Sequence, residues 1–245
     1  MTDKLNFIKD LSEISVKDKV KYEKNRSHIF SMKVLQPNAV IQEIYKKGEI
    51  VVQGKKEKLT SAVSPLEGYH LYWLIKANRY KLVIEVGLAN GLSSLYMLQA
   101  MKENRKGRLI SVDPFQKTQW KSAGLDHIAK AKLQKYHRWV AEKSFIGLPM
   151  LLAEGLQADL VFVDGMHLFD YTLLDVFFAV LLCRVGGVIV VDDINHAGVK
   201  KCIDYMLHNY SSFLKFVPQT LCRNTAATFI KVKEDQRAWN FHAHF

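Results

Sequence analysis

Three carboxylates and an imidazole stand where strand-to-helix turns are expected: Asp164 and His167 in ADLVFVDGMH, and Asp192 with Asp193 in GGVIVVDD. Both segments are near-continuous apolar runs closed by acid, as are strands buried on both faces of a parallel sheet. Neighbouring strands lie about 4.8 Å apart, so adjacent carboxyl ends would gather the three acids into one patch. Such a patch needs protons or a cation to neutralise it. Hard oxygen ligands suit Mg2+ or Ca2+, and an octahedral Mg2+ keeps positions free for water and a substrate hydroxyl. A structural alternative stays open, in which one acid caps the following helix and another binds backbone amides. His167 would stand beside the patch, able to take a proton from a hydroxyl, or simply to contact nearby backbone or carboxylate. His196, in DDINH, is a weaker candidate for the same role. Asp170 and Asp175 read as helix surface or first turn, where negative charge complements the helix dipole.

Residues 82–93, LVIEVGLANGLS, supply a second constellation. A β-branched apolar run, an acid, two glycines and a small polar residue describe a strand, a tight turn and a helix start. That arrangement brings backbone close to an adenosine-type ligand at the carboxyl end of a parallel strand. A second strand, RLISVD, ends on Asp113, placed to accept hydrogen bonds from a ribose diol. The spacing of Gly87 and Gly91 is not GxGxxG, so room for a pyrophosphate is not provided and a cofactor without phosphates is favoured. A nicotinamide oxidoreductase is disfavoured for the same reason.

The elements that must position these residues alternate as βαβ units. Periodicity and turn signals predict strands at 82–86, 108–112, 138–141, 159–163, 187–191, 213–217 and 226–232, and helices at 92–103, 122–135, 145–153, 167–183 and 197–208. Pro65 opens an earlier helical pattern. The last two strands follow each other directly, which predicts an antiparallel hairpin at one edge. The expected fold is α/β: a doubly wound, mostly parallel seven-stranded Rossmann-like sheet with an antiparallel edge hairpin and an N-terminal helical cap. Residues 1–62 form the accessory cap, with amphipathic segments around Leu5–Ile14 and Val40–Tyr45 and a turn near Gly54; residues 63–245 form the main domain.

At 245 residues and 49% hydrophobic, the chain suffices for one large α/β domain. The net charge of +11 is spread along the chain among 24 acidic residues, which reads as solvated helix faces rather than a nucleic-acid surface. Cys183, Cys202 and Cys222 lack CxxC spacing, which suits reduced structural thiols and implies no zinc site. MTDKLNFIKDLSEI lacks the apolar core of a signal peptide, and no apolar stretch is long enough to span a bilayer. A soluble cytoplasmic protein with no membrane partner is expected.

These segments, in this order, resemble the class I S-adenosylmethionine-dependent methyltransferases, and within them the divalent-metal O-methyltransferases of catechol, caffeoyl-thioester and macrolide-sugar type. The resemblance covers about residues 62–232 and rests on SPLEGYHLYWLI, IEVGLANGLSSLYM, GRLISVDPFQ, ADLVFVDGMH and GGVIVVDD. It implies that Glu85, Gly87, Gly91 and Ser93 belong to the cofactor motif, that Asp113 binds the ribose hydroxyls, that Ser144 lies near the adenine and that Asp164 borders the cofactor. It implies Asp164, Asp192 and Asp193 as metal ligands, although many such enzymes carry Asn at the last position. His167 resembles the DxxH histidine of the sugar-modifying relatives, a general base. Met166 and His167 depart from the catechol-type pattern, which has lysine in this region and makes a catechol substrate doubtful. Trp120 either flanks the cofactor or substrate or packs internally.

The implied activity is methyl transfer from S-adenosyl-L-methionine to a hydroxyl activated by Mg2+, with His167 and Asp164 in the catalytic set. The implied acceptor is a small polyhydroxylated molecule or a sugar or glycan. Two alternatives stand beside it: a nucleic-acid ribose methyltransferase, disfavoured because the acidic pair repels phosphate, and a non-catalytic cofactor-binding protein of the same fold. Relatives often dimerise, and an amphipathic N-terminal stripe serves equally for a homodimer contact or for packing on its own sheet.

Overall fold

Alternation of side chains along each strand decides the layering. In the computed structural model, which describes residues 36–218 and 225–245, Val83, Leu109, Leu160, Phe162, Val188 and Val190 point into one apolar core. Their sequence neighbours Ile84, Ile110, Val161, Val163, Ile189 and Val191 point into a second core on the opposite face.

The N-terminal part contains α1 (Ala39–Lys47), β1 (Glu49–Val52), β2 (Lys55–Lys58) and α2 (Pro65–Asn78). There follow β3 (Leu82–Val86), α3 (Leu92–Asn104), β4 (Arg108–Val112), α4 (Ala123–Lys130), β5 (His137–Val140) and α5 (Ser144–Ala153). The chain then adds β6 (Ala158–Val163), α6 (Phe169–Leu182), β7 (Cys183–Val191), α7 (Ala197–Asn209), β8 (Leu214–Val217) and β9 (Ala227–Lys231). The seven-stranded sheet has the order β5-β4-β3-β6-β7-β9-β8. The five strands from β5 to β7 in this order run parallel, while β9 pairs antiparallel with both β7 and β8. Strand order reverses between β3 and β6, the position at which open α/β sheets leave a crevice beyond their carboxyl ends.

Three expectations change. The cap is not wholly helical: besides α1 it holds a β1–β2 hairpin, whose Gln53 and Gly54 have φ of 49° and 77°. Two central residues with positive φ are what a tight hairpin requires. Lys55-Lys56-Glu57-Lys58 has no apolar alternation to announce a strand. The helix expected over 122–135 stops at Lys130, because Lys132 turns left-handed at φ 56° and a short 3-10 turn at Gln134–Tyr136 follows. Strand β7 begins at Cys183, four residues before the expected start at 187, with a register shift against β6. The amphipathic segment expected around Leu5–Ile14, and Cys222, lie outside the described residues.

Local chemistry supports the frame. Ser64 and Glu67 cap α2 reciprocally, with Pro65 in the first helical position. Lys231 is buried, yet its ammonium donates to the carbonyls of Val180 and Cys183 at 3.1 and 3.0 Å and pairs with Glu234 at 2.7 Å, satisfying the end of α6. Among the described residues no helix is long and apolar enough to cross a membrane. Cys183 and Cys202 are buried free thiols.

Helices α2 and α3 meet through Gly68, where an added Cβ would lie 2.2 Å from the Tyr96 ring. Gly68→Ala is expected to cost about 1–3 kcal/mol through overpacking, read as a lower denaturation midpoint. An unchanged midpoint would show that the ring yields freely.

Candidate active site

The ladder hydrogen bonds of the parallel strands continue past their last residues and aim three acids at the crevice. Asp113 N–H donates to Val140 O at 3.1 Å, Asp164 N–H to Val86 O at 3.0 Å, and Asp192 N–H to Val163 O at 3.0 Å. Between them Gly87 turns the chain at φ 90°, and a Cβ there would lie 2.0 Å from the Asp164 carbonyl oxygen. Only glycine lets the β3 turn sit this close to the end of β6.

The turn is clasped from several sides. Asp113 Oδ2 accepts from Leu88 N–H at 3.0 Å and Ala89 N–H at 2.8 Å, and Oδ1 accepts from Phe115 N–H at 2.7 Å. Gln116 donates to Ala89 O at 2.8 Å, and His127 Nδ1 lies 2.9 Å from Asn90 O. Ala89 adopts φ 44°, a left-handed conformation unfavourable for alanine and offset by these contacts.

Glu85 is fully buried beneath the turn. Ser93 and Ser111 each donate to it at 2.5 Å, Ser94 donates as well, and His137 Nε2 lies 3.0 Å from Ser111 Oγ. Burial pushes the Glu85 carboxyl up to about 7, against the opposing pull of the three hydroxyls.

Above this floor lies a cavity of about 430 Å³. Of the residues that sequence reasoning assigned to the cofactor, Gly87, Asp113, Ser144 and Asp164 line it, whereas Glu85, Gly91 and Ser93 do not. These three build the turn from below: Gly91 starts α3 at φ 77°, and Ser93 is spent on Glu85. Asp192, Asp193, His167 and Trp120 also line the cavity. So does Glu67, unassigned from the sequence; its capping-box spacing was the readable signal, but not that the helix start faces the crevice.

Charge concentrates beside β6 and β7. Asp192 is 6% exposed, and its Oδ1 is buried with no hydrogen-bond partner. Burial first, then Asp164, Glu67 and Asp193, push its carboxyl up to about 9. Asp164 is raised well above the usual carboxylate range by burial and by Asp193, Glu85 and Glu67. Asp193, at φ 57°, turns its carboxylate to His167, with Oδ2 2.9 Å from Nε2, while Asp164 Oδ1 lies 3.9 Å from the same nitrogen. The His167 ring stacks on His196 with centroids 4.4 Å apart. Among the described residues, the three-residue group whose ligating atoms lie within 4.8 Å of one another is His167, Asp193 and His196, not the three aspartates. Asp175, expected on a helix surface, is instead buried on α6, where its Oδ2 lies 3.0 Å from the Cβ position of Gly165; burial raises it to about 6.

A pH dependence of stability follows from Glu85. The folded carboxyl holds its proton to about pH 7, while the unfolded one releases it near 4.5. The folded state therefore binds the extra proton between these values, and stability falls as pH rises through that window, by about 3 kcal/mol in total. Glu85→Gln is expected to flatten this part of the melting profile relative to wild type. Parallel profiles would show that Glu85 is not protonated in the folded chain.

Comparison with known proteins agrees with this architecture. A family described as a methyltransferase domain matches residues 84–194. No curated protein matches the chain. Among solved structures, the O-methyltransferase TomG from Streptomyces achromogenes, involved in tomaymycin synthesis and solved with SAM, has a TM-score of 0.62 at 18% identity, covering 88% of this chain and 96% of its own. The O-methyltransferase from Bacillus cereus in complex with SAH gives 0.61 at 16% identity, with 87% and 97% covered. SAH-bound methyltransferase PaMTH1 from Podospora anserina gives 0.61 at 13%, with 89% and 96% covered. At such identities these likenesses speak for the fold. With the sheet order, the glycine turn and the matched segment taken together, residues 84–194 match a methyltransferase domain and the chain has the Rossmann-like fold of the solved methyltransferases.

Proposed function

We propose that the chain moves a methyl group from S-adenosylmethionine to a hydroxyl of a small polyhydroxylated molecule or a sugar, with a divalent cation, Mg2+, held by Asp164, Asp192 and Asp193. The observation that carries this reading is the partnerless, buried Asp192 oxygen beside Asp164 on the cavity wall. A carboxyl withdrawn from water beside a second one needs a proton or a cation, and an all-oxygen donor set fits a hard ion. When bound, the cofactor supplies an activated sulfonium methyl and the cation lowers the pKa of the acceptor hydroxyl.

The chain's own residues then position and deprotonate. The preformed turn at Gly87 and the Asp113 carboxylate face the ribose and methionine portion, with Ser144 toward the adenine. Asp164 and Asp192 fix the acceptor oxygens in line with the methyl group. His167 takes the hydroxyl proton: with Nε2–H donated to Asp193 at 2.9 Å, Nδ1 is the nitrogen left to accept it, and Asp193 then stabilises the imidazolium. Residues 63–245 form the catalytic unit, and the end of the accessory segment 1–62 shapes the acceptor pocket, since Ser61 and Ala62 line the cavity. Reduced, buried Cys183 and Cys202 suit a cytoplasmic setting.

Calorimetric titration with S-adenosylmethionine, with and without Mg2+, tests the division of roles. Asp113→Ala is expected to weaken cofactor binding about ten-fold or more, or about 1.4 kcal/mol. Asp192→Ala should leave that affinity nearly intact and abolish the Mg2+ response. Equal cofactor loss in both variants would overturn the assignment. His167→Ala should slow methyl transfer by about 10²-fold or more while cofactor affinity stays within about two-fold of wild type. A wild-type rate across the pH range would remove His167 as the base.

A further inference from the structure

We propose that His167, Asp193 and His196 form a cation site of their own at the rim of the cavity, taking imidazole-preferring divalent ions such as Zn2+, Co2+ or Ni2+ ahead of Mg2+. The three-aspartate patch offers oxygen alone, but this group offers two ring nitrogens and one carboxylate. Donor sets of that kind favour the borderline transition ions and leave positions open for water or another ligand.

The backbone is shaped to bring the three side chains together. The turn after β7 is closed by His196 N–H donating to Asp193 O at 2.9 Å, which folds His196 back over Asp193. The start of α7 then presses against the His167 segment through Gly198, where a Cβ would lie 2.6 Å from His167 O and 2.7 Å from Phe169 N. Any larger residue at 198 would part the two histidine-bearing turns. The rings are nearly parallel, with an interplanar angle of 26°. Around a tetrahedral ion with bonds of about 2.0–2.1 Å, donors are spaced roughly 3.4 Å apart. Asp193 Oδ2 and His167 Nε2, at 2.9 Å, stand about 0.5 Å inside that spacing. All three ligating atoms lie within 4.8 Å of one another. Closing the remainder needs a shift of about 1.4 Å at most, well within rotation of the exposed His196 side chain.

Asp193 belongs to both constellations, and this gives the site a consequence. An ion taken between His167 and Asp193 displaces the proton they share and draws Asp193 from the other two aspartates. Occupancy here and proton transfer by His167 exclude each other. That consequence rests on the proposed methyl transfer; ion binding does not.

The test uses the full metal-free chain, titrated with Zn2+ and with Mg2+ by calorimetry and with Co2+ by visible absorption. Wild type is expected to bind Zn2+ at this site without displacement by millimolar Mg2+. His196→Ala and His167→Ala should each weaken Zn2+ roughly ten- to a hundred-fold and remove the Co2+ ligand-field bands. The double variant His242→Ala/His244→Ala, which removes the neighbouring imidazoles of the C-terminal segment, should bind like wild type. His196 is exposed, so its variant keeps the fold and decides the matter alone. Undiminished Zn2+ binding by His196→Ala, or loss of binding in the 242/244 variant, would overturn the site. Zn2+ binding without any binding of S-adenosylmethionine would leave the site standing and sink the proposed function.

Discussion

Withdrawal of carboxylates from water at one edge of a parallel sheet is the constraint on which the site depends. Glu85, Asp113, Asp164 and Asp192 sit on or just beyond β3, β4, β6 and β7, which are consecutive in the sheet. Asp164 stays partly exposed, and the burial of the other three is resolved differently in each. Glu85 accepts from three serine hydroxyls, while burial raises its carboxyl to about 7. Asp113 takes backbone amides from the turn and from Phe115. Asp192 has an oxygen that nothing answers. The edge therefore runs from internally satisfied, around the glycine turn, to electrostatically incomplete at β7. The first region is preformed, and the second holds charge that its own residues do not balance.

Much of this edge was legible because its signals are local. Apolar runs ending in acid placed β6 and β7 within a residue or a few, and the glycine pair placed the β3 turn. What escaped depends on contacts distant in sequence. Asp113 was readable as an acid at a strand end, but not its capture of Leu88 and Ala89 amides, which fixes the turn before any ligand arrives. Glu85, Gly91 and Ser93 were read as part of the cofactor motif, and none of the three lines the cavity. A strand with apolar neighbours on both faces has no wet side, so Glu85 had to find donors inside. The Ser93–Ser94 pair in the first turn of α3 was the clue. Asp175 failed for a related reason: an acid on a helix reads as surface unless the loop folded over it is known.

The same reasoning explains why the three aspartates are not equivalent. Asp164 and Asp192 continue the ladders of adjacent strands and are held by them. Asp193 lies one residue further, in a left-handed turn, and is free of the sheet's register. Its carboxylate follows the turn to His167. Sequence proximity groups it with Asp192, while backbone handedness assigns it to the histidines.

Strand β9 gives the architecture an order in time. It is laid antiparallel against β7, the strand that carries Asp192, and the residue after the acid pair, Ile194, donates to Thr225 O at 3.1 Å. During synthesis from the N-terminus, β7 thus waits with one edge open until residues 227–231 emerge. The glycine turn and its carboxylate floor can assemble well before then, since β3, β4 and β6 are already paired. The glycine-turn half of the crevice is an early product of the nascent chain, and the acidic half is closed only when the last strand slides into place beside it.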